Sequence, residues 1–300
     1  MADVPTTIDS KYRVPRRKIP FSEGATKTLT YIVLSIWGAM VIFPMLWSVM
    51  TSFKTDQEIF FSPWALPKVL IFDNFARAWV KARMGDYLIN TLVIILPALF
   101  FTLLLSAMAA YVLARFNFRG RTFITYLFLL GMIFPIFLAL VPLYFVMQKT
   151  GLLDTFPGMI MVYIAFSLSF TIFFMTNFFR TLPKELGEAA LMDGANQYDI
   201  FFKVYLPLAQ PGLLTMGIFN FLGQWNQYIL PNTLMITNND DVTHYVLSQG
   251  LYYLQAKQFY QNDWSGLFAA VTIVMIPTLA VYLIFHDRIE AGMTAGAIKG

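Results

Sequence analysis

The chain has few residues equipped for bond-breaking chemistry. Its 300 residues include no cysteine and two histidines, His244 and His286, which are not spaced as a metal pair. A thiol nucleophile, a disulfide and a cysteine-ligated metal are therefore excluded. A phosphate-cradling P-loop needs a Gly-Lys pair, and no lysine here follows a glycine. No nucleophile–base–acid set is visible. The polar residues with useful spacing are of another kind. In "FNFLGQWNQY", Phe219–Tyr228, Asn220 and Gln224 are four apart and Gln227 is three further on. All three amides then share nearly one helical face, with Trp225 and Asn226 beside them. Amides donate and accept hydrogen bonds, and an indole stacks on a sugar ring, so the set suits a neutral polyhydroxylated ligand. The competing reading is helix packing for Asn220 and an interfacial aromatic belt for Trp225 and Tyr228.

A second stretch, "PKELGEAALMDGANQYDIFFKVYLP", Pro183–Pro207, is charged where its neighbours are apolar. Pro183 falls where a first turn would be. Glu185 and Glu188 sit where carboxylates favour the helix dipole. Leu182, Leu186, Ala189 and Ala190 make one apolar stripe, and Gly194 is placed to end the helix as a C′ glycine. Asn196 then caps a second short helix, with Asp199 three residues on. That helix presents Ile200, Phe201, Val204 and Tyr205 before Pro207 ends it. A membrane-anchoring helix would be rich in Lys and Arg. Glu185–Gly194 has none, but three acids and two adjacent alanines, a surface suited to a protein groove.

The elements that must position these residues are membrane spans. The chain is 58% hydrophobic and 13% charged, about half the charge of a soluble domain. The net charge of +4 calls for no nucleic acid. Charge-free intervals cover 28–53, 87–114, 122–148, 155–179, 204–239 and 264–285. A span needs about 20 apolar residues, so five of these hold one span each. Pro207 and Pro211 divide 204–239, and its helix is expected from Gln210–Pro211 to about Leu230. The fold class is all-α: a polytopic membrane protein with six transmembrane helices and a short charged segment between spans four and five. Residues 1–27 read as a largely irregular cytoplasmic arm, and 28–300 as the membrane domain, with its core at 85–290. With both termini in the cytoplasm, 14 Lys and Arg lie inside and 7 outside, as the positive-inside rule requires. The charged segment is then cytoplasmic.

On spans two and four, other residues point to packing. Ser106, Ala110 and Ala114 form a small-residue row. Ser167, Ser169, Thr171, Thr176 and Asn177 are mostly hydroxyls that bond backbone or neighbouring helices. No ionisable residue sits mid-span, and no broken helix is evident, against a proton- or sodium-coupled transporter.

Glu188-Ala189-Ala190, then Gly194, then Val204-Tyr205-Leu206-Pro207 resemble the EAA signature of ATP-binding-cassette importer permeases. That signature is E-A-A, three residues, G, nine residues, I, one residue, L-P. Val204 replaces the usual isoleucine. "LSAMAAYVLARFNFRGR", Leu105–Arg121, and "GMTAGAIKG", Gly292–Gly300, resemble the carbohydrate branch, nearest the second permease subunit of the maltose type. The resemblance spans roughly residues 29–300. It implies that the EAA segment is a coupling helix inserted into a cytoplasmic ATPase. Glu188, Ala189, Ala190, Asp193 and Gly194 would make the contact, and Leu206 and Pro207 would hold the geometry. A tail at Gly296, Lys299 and Gly300 would reach the ATPase dimer. It further implies a second permease subunit, two ATPase subunits that use ATP and Mg, and an extracytoplasmic solute-binding protein meeting the long outer segments 54–86 and 231–263. This chain itself would bind no cofactor or metal and catalyse no reaction. Asn220, Gln224, Trp225 and Asn226 remain candidates for the pathway, although in maltose-type pairs the partner supplies most sugar contacts. A same-family permease for a non-carbohydrate solute is the alternative.

Overall fold

The computed structural model describes residues 21–235 and 242–297. Every regular element among them is helical. In chain order these are α1 (Phe21–Thr51), α2 (Asp56–Phe61), α3 (Asp73–Ala76) and α4 (Met84–Arg115). A wide turn, Arg77–Lys81, links α3 to α4. There follow α5 (Arg121–Ile133), α6 (Ile136–Lys149), α7 (Phe156–Thr181), α8 (Glu185–Met192) and α9 (Gln197–Asp199). The last passes through a second wide turn, Ile200–Tyr205, into α10 (Leu206–Leu208). The chain closes with α11 (Gln210–Trp225), α12 (Ile229–Leu234), α13 (Leu247–Gln261) and α14 (Trp264–Ala297). Two units are distinguished, residues 1–48 and 49–300. The described part of the first is most of α1, which begins at Phe21, inside the segment assigned to the arm. Its apolar side chains are almost all exposed, as on a helix whose surroundings are lipid or another protein.

In the second unit α4 packs along α7, and α11 lies against α4, α7 and α14. Ala98, Ser106, Ala107 and Ala110 of α4 have no exposure, and such small residues let helix backbones approach closely. Ala114, the last of the expected row, packs at the edge of the same cluster. Two apolar clusters mark the two ends of the unit. One holds Met84, Tyr87, Met147, Met159, Trp225 and Leu247. The other holds Ala107, Tyr111, Met175, Phe179, Phe201, Tyr205 and Met216. Thus α4, α7 and α11 each run from one cluster to the other. In the α5–α6 pair, Thr125 lines one small cavity with Leu113 and Arg180, and Met147 lies in the cluster of Met84.

Among the described residues four helices are long and apolar enough to cross a membrane, or five if α5 and α6 count as one bent span. Six were expected, and the difference has two causes. Within 122–148 the chain bends by 101° between α5 and α6. Pro135 offers no N–H and forces Phe134 into an extended conformation, with ψ 121°. A broken helix is therefore present where none was evident. The helix expected to reach Leu230 stops at Trp225. Asn226 bonds back through Nδ2 to the Leu222 carbonyl at 2.8 Å, and Gln227 Oε1 accepts the Ile229 N–H at 3.2 Å. These side-chain bonds compete with helix continuation. At 1.5 Å per residue α11 covers only about 24 Å. Pro211 lies in its first turn, as expected. Pro207 does not end the preceding helix but sits in the first turn of α10.

Candidate functional site

The charged segment forms a compact platform. α8 starts at Glu185, with Pro183 just ahead of it. It ends in a Schellman turn: the Gly194 N–H bonds the Leu191 carbonyl and the Ala195 N–H bonds the Ala190 carbonyl, both at 3.0 Å. Gly194 takes φ +83°, a conformation glycine adopts without penalty. Asn196 caps the next turn, its Oδ1 accepting the Asp199 N–H at 2.9 Å. Its amide also donates to Asp199 Oδ2 at 2.7 Å, so the reciprocal bond runs side chain to side chain and not to the Asn196 backbone.

Glu188, Ala189, Asp193 and Gly194 are exposed on this platform, and Ala190 is half-buried. Leu206 packs beneath it, while Pro207 is exposed. Sequence reading overlooked three apolar neighbours: Leu191, Met192 and Tyr198. Met192 is 88% exposed and Tyr198 77%. Large apolar side chains are thus displayed on both sides of the glycine turn.

The underside is held by residues from the end of α4. The Arg115 guanidinium lies 4.4 Å above the centre of the Tyr205 ring and donates through Nη2 to the Leu182 carbonyl at 2.8 Å. Tyr205 Oη donates to the Pro183 carbonyl at 3.3 Å. Tyr111 meets Phe201 at 5.1 Å and Tyr205 at 5.3 Å between ring centres. Gly187 is buried against Tyr205, where a Cβ would come within 2.8 Å of the Tyr205 Oη. Among the described residues no carboxylate pairs with Arg115. It holds the platform by a ring face and one carbonyl.

The opposite end of α4 is tied by charge. Arg77 reaches Asp73 at 2.8 Å, Asn74 at 3.0 Å, Asp263 at 3.1 Å and Ser265 at 3.0 Å. Asp56 Oδ1 accepts the Ser265 N–H at 2.7 Å. Lys54 is fully buried and donates to the Ser62 and Pro63 carbonyls at 3.2 and 2.8 Å; burial pushes its pKa down. Burial pushes the Asp263 carboxyl up, but the hydrogen bond and charge of Arg77, with the Gly266 N–H and the Ser265 hydroxyl, together outweigh it and hold the group below its usual range. No local pattern announces a pair 186 residues apart.

The four pathway candidates separate. Asn220 Nδ2 donates to Thr171 Oγ1 at 2.9 Å, and Gln224 Nε2 to Ser167 Oγ at 3.0 Å. Both amides and Gln227 line one cavity of about 260 Å³ with Phe166, Ser167 and Phe170. Trp225 turns away, donating Nε1 to the Val274 carbonyl at 3.3 Å and stacking on Phe221. Asn226 is exposed and outside the cavity wall. Gly296 is in the last turn of α14, while Lys299 and Gly300 lie outside the described residues. Among the described residues no cluster of His, Asp or Glu could hold a metal ion.

Residues 102–295 match the family model described as binding-protein-dependent transport system inner membrane component. The chain is 46% identical over 278 residues to the diacetylchitobiose uptake system permease protein NgcG of Streptomyces coelicolor, covering 93% of this chain and 91% of that one. It is 33% identical to the trehalose transport system permease protein SugB of Mycobacterium tuberculosis, covering 92% of this chain and 100% of the other. A crystal structure of a bacterial ABC transporter involved in import of the acidic polysaccharide alginate shares the fold. There the TM-score is 0.76 at 22% identity, over 89% of this chain and 97% of that one.

Proposed function

Because this chain belongs to the family of binding-protein-dependent transport system inner membrane components, we propose that it is one permease subunit of an ATP-driven saccharide importer. It is a multi-pass membrane protein. The reading places six crossings: α1, α4, the bent α5–α6 pair, α7, α11 with α12, and α14. What supports the count is that α4, α7 and α11 each join the cluster of Met84 to the cluster of Tyr111, and that the α5–α6 pair runs from a cavity it shares with Leu113 and Arg180 to Met147 in the cluster of Met84. α14 likewise starts just after Asp263, which pairs with Arg77, and its Arg288 lines one cavity with Pro207 and Gln210. The bias of Lys and Arg favours the Arg115 end, and both termini, in the cytoplasm.

One observation carries the coupling role: an exposed Glu188–Gly194 turn with EAA spacing, seated on a buried clasp from α4. An ATPase subunit docks there, at Glu188, Ala189, Ala190, Asp193 and Gly194. ATP-driven closure of the ATPase pair moves α8. Gly187 leaves Tyr205 no clearance, so the push passes into the Tyr205 ring, then Arg115, then α4. The helices around the 260 Å³ cavity are thereby re-angled, and access alternates between the two sides of the membrane. A second permease subunit completes the pathway, a solute-binding protein delivers cargo on the far side, and the end of α14 near Gly296 extends toward the ATPase pair. ATP and Mg are used by the ATPase subunits, and this chain performs no covalent chemistry. The names of the diacetylchitobiose and trehalose permease relatives support a saccharide as cargo. The break at Pro135 is a feature shared with secondary transporters, but the middle stretches of the spans hold no acid to couple an ion.

Purification of a tagged chain with its neighbours tests the reading. An ATPase subunit and a second permease subunit should co-purify, and the complex should import a labelled saccharide only with ATP. Recovery of the intact chain with no ATPase subunit would falsify it.

A further inference from the structure

A different face of α11 borders two apolar cavities that share a wall. The larger, about 870 Å³, lies among α4, α11 and α14. The smaller, about 340 Å³, lies between α4 and the stretch from α10 into α11. Leu103, Pro207, Gln210 and Leu213 border both. The two are therefore lobes of one groove, with Leu103 and Leu213 standing between them and Gln210 common to their mouths.

The groove has the depth of one leaflet. On α11 its wall runs from Gln210 to Phe221, about 16 Å at the helical rise, and half of a hydrocarbon layer is about 15 Å. Leu214, Gly217, Ile218 and Phe221 line it at helical spacing on one face. Gly217 keeps the larger lobe open: a Cβ there would meet only the end of Leu103, at 3.5 Å. On α14, Val281, Phe285 and Arg288 continue the wall.

Polarity is confined to the mouth. Gln210 and Arg288 are the polar residues lining the two lobes, and no carboxylate lines either. Both are exposed, and among the described residues neither side chain has a hydrogen-bond or ion partner. Asp287, next to Arg288, pairs with His286 at 3.0 Å. An unspent guanidinium over an apolar slot calls for an anion carrying apolar chains. A guanidinium takes phosphate oxygens bidentately, and the Gln210 amide adds two donors. Basic pockets between spans on the cytoplasmic side hold acidic lipid headgroups in this way. A partner helix is a single rod and would ride on the Leu103–Leu213 ridge, whereas two lobes under one polar mouth match two chains on one headgroup.

We propose that this groove is a site for one anionic two-chain phospholipid of the cytoplasmic leaflet, its phosphate on Arg288 and Gln210 and its chains in the two lobes. The bound lipid braces α4, α14 and the start of α11 just past the platform. Its leaflet rests on the orientation proposed above.

The intact importer, with its partner subunits, is placed in phosphatidylcholine bilayers holding a phosphatidylglycerol with a photoreactive chain, or the same chain on a choline headgroup. Illumination should mark peptides 208–221 and 281–288 about fivefold more with the glycerol probe, the preference one arginine confers. Arg288→Ala should erase that ratio and Arg288→Lys should keep most of it. Gly217→Leu narrows the larger lobe and should lower marking by both probes, with the ATPase subunits recovered in equal amount. Equal marking by the two probes in the wild type, or an unchanged ratio in Arg288→Ala, overturns the site. So does cross-linking of Gly217→Cys, the single thiol of this chain, to the second permease subunit. Probe loaded into one leaflet at a time separates the site from the orientation: the ratio seen only from the outer leaflet overturns the orientation and the leaflet assigned here. Absence of ATPase subunits counts against the importer reading, and the marking ratio is read on this chain all the same.

Discussion

The two ends of α4 are fastened by opposite physics. At the Met84 end, Arg77 is held by four side chains, two of them carboxylates, at 2.8–3.1 Å. Charged hydrogen bonds of that kind are directional and lock one geometry. At the other end Arg115 has a ring face and a single carbonyl, and its buried Nε has no partner. A cation over a π face is attracted without being fixed at one point, so the contact persists while the ring slides. One end is an anchor and the other a bearing. In the proposed mechanism α4 turns about the first and is driven at the second.

The largest effect is expected where the bearing meets its driver. Glu188→Lys or Gly194→Asp should abolish uptake while ATP hydrolysis continues and the chain still inserts, measured as transport against phosphate release. The Gly194 change adds backbone strain at φ +83°. Normal uptake in either variant removes the docking face from the comparison. Next comes the clasp. Gly187→Val drives side-chain atoms into Tyr205 and should lower uptake about tenfold, since overpacking costs about 1–3 kcal/mol; a full-rate variant would show that the platform is not seated through Tyr205.

Arg115→Lys keeps the charge but loses the planar face that stacks on Tyr205, and uptake should fall severalfold with little change in melting temperature. Asp263→Asn should invert that pattern. The anchor would lose about 1 kcal/mol, discounted for partial exposure, which would appear as a lower melting temperature with uptake within about twofold. If uptake fell as far as with Arg115→Lys, the division into anchor and bearing would collapse. The smallest effect is with pH. Asp263 is held below its ordinary value of 3.8, so its contribution is complete above that value and is lost as pH falls through the lower folded one. Melting temperature should be flat in this respect from pH 7 to 5 and decline below about 4, and Asp263→Asn should remove that part of the decline.

Much of this was legible in local sequence. The apolar intervals located α1, α4, α7 and α14, and the spacing from Glu188 to Pro207 located the platform, its glycine turn and its Asn196 cap. Those signals are local, because a Schellman turn or a cap is settled within six residues. Asn220 and Gln224 on one face were also readable, as helical periodicity fixes who shares a side. The direction taken by Trp225 was not, since it depends on which neighbour α14 brings close. Arg77–Asp263 and Arg115–Tyr205 are long-range and leave no periodic trace. Pro135 stood in plain view, yet Pro44, Pro97, Pro142 and Pro277 all lie inside unbroken helices. Membrane helices tolerate proline when neighbours satisfy the freed carbonyls, so the residue alone does not announce a break.

That break has a consequence for the lipid. Straight, the 13 residues of α5 and the 14 of α6 would rise about 40 Å; bent by 101° they reach about 26 Å end to end. The hydrocarbon layer is about 30 Å thick. As the proposed crossing, the pair falls short of that layer by a few ångströms, a mismatch that costs fractions of a kcal/mol per ångström. That crossing therefore predicts a transport rate that responds to bilayer thickness as well as to ATP and cargo, measured by reconstitution in lipids of different acyl length.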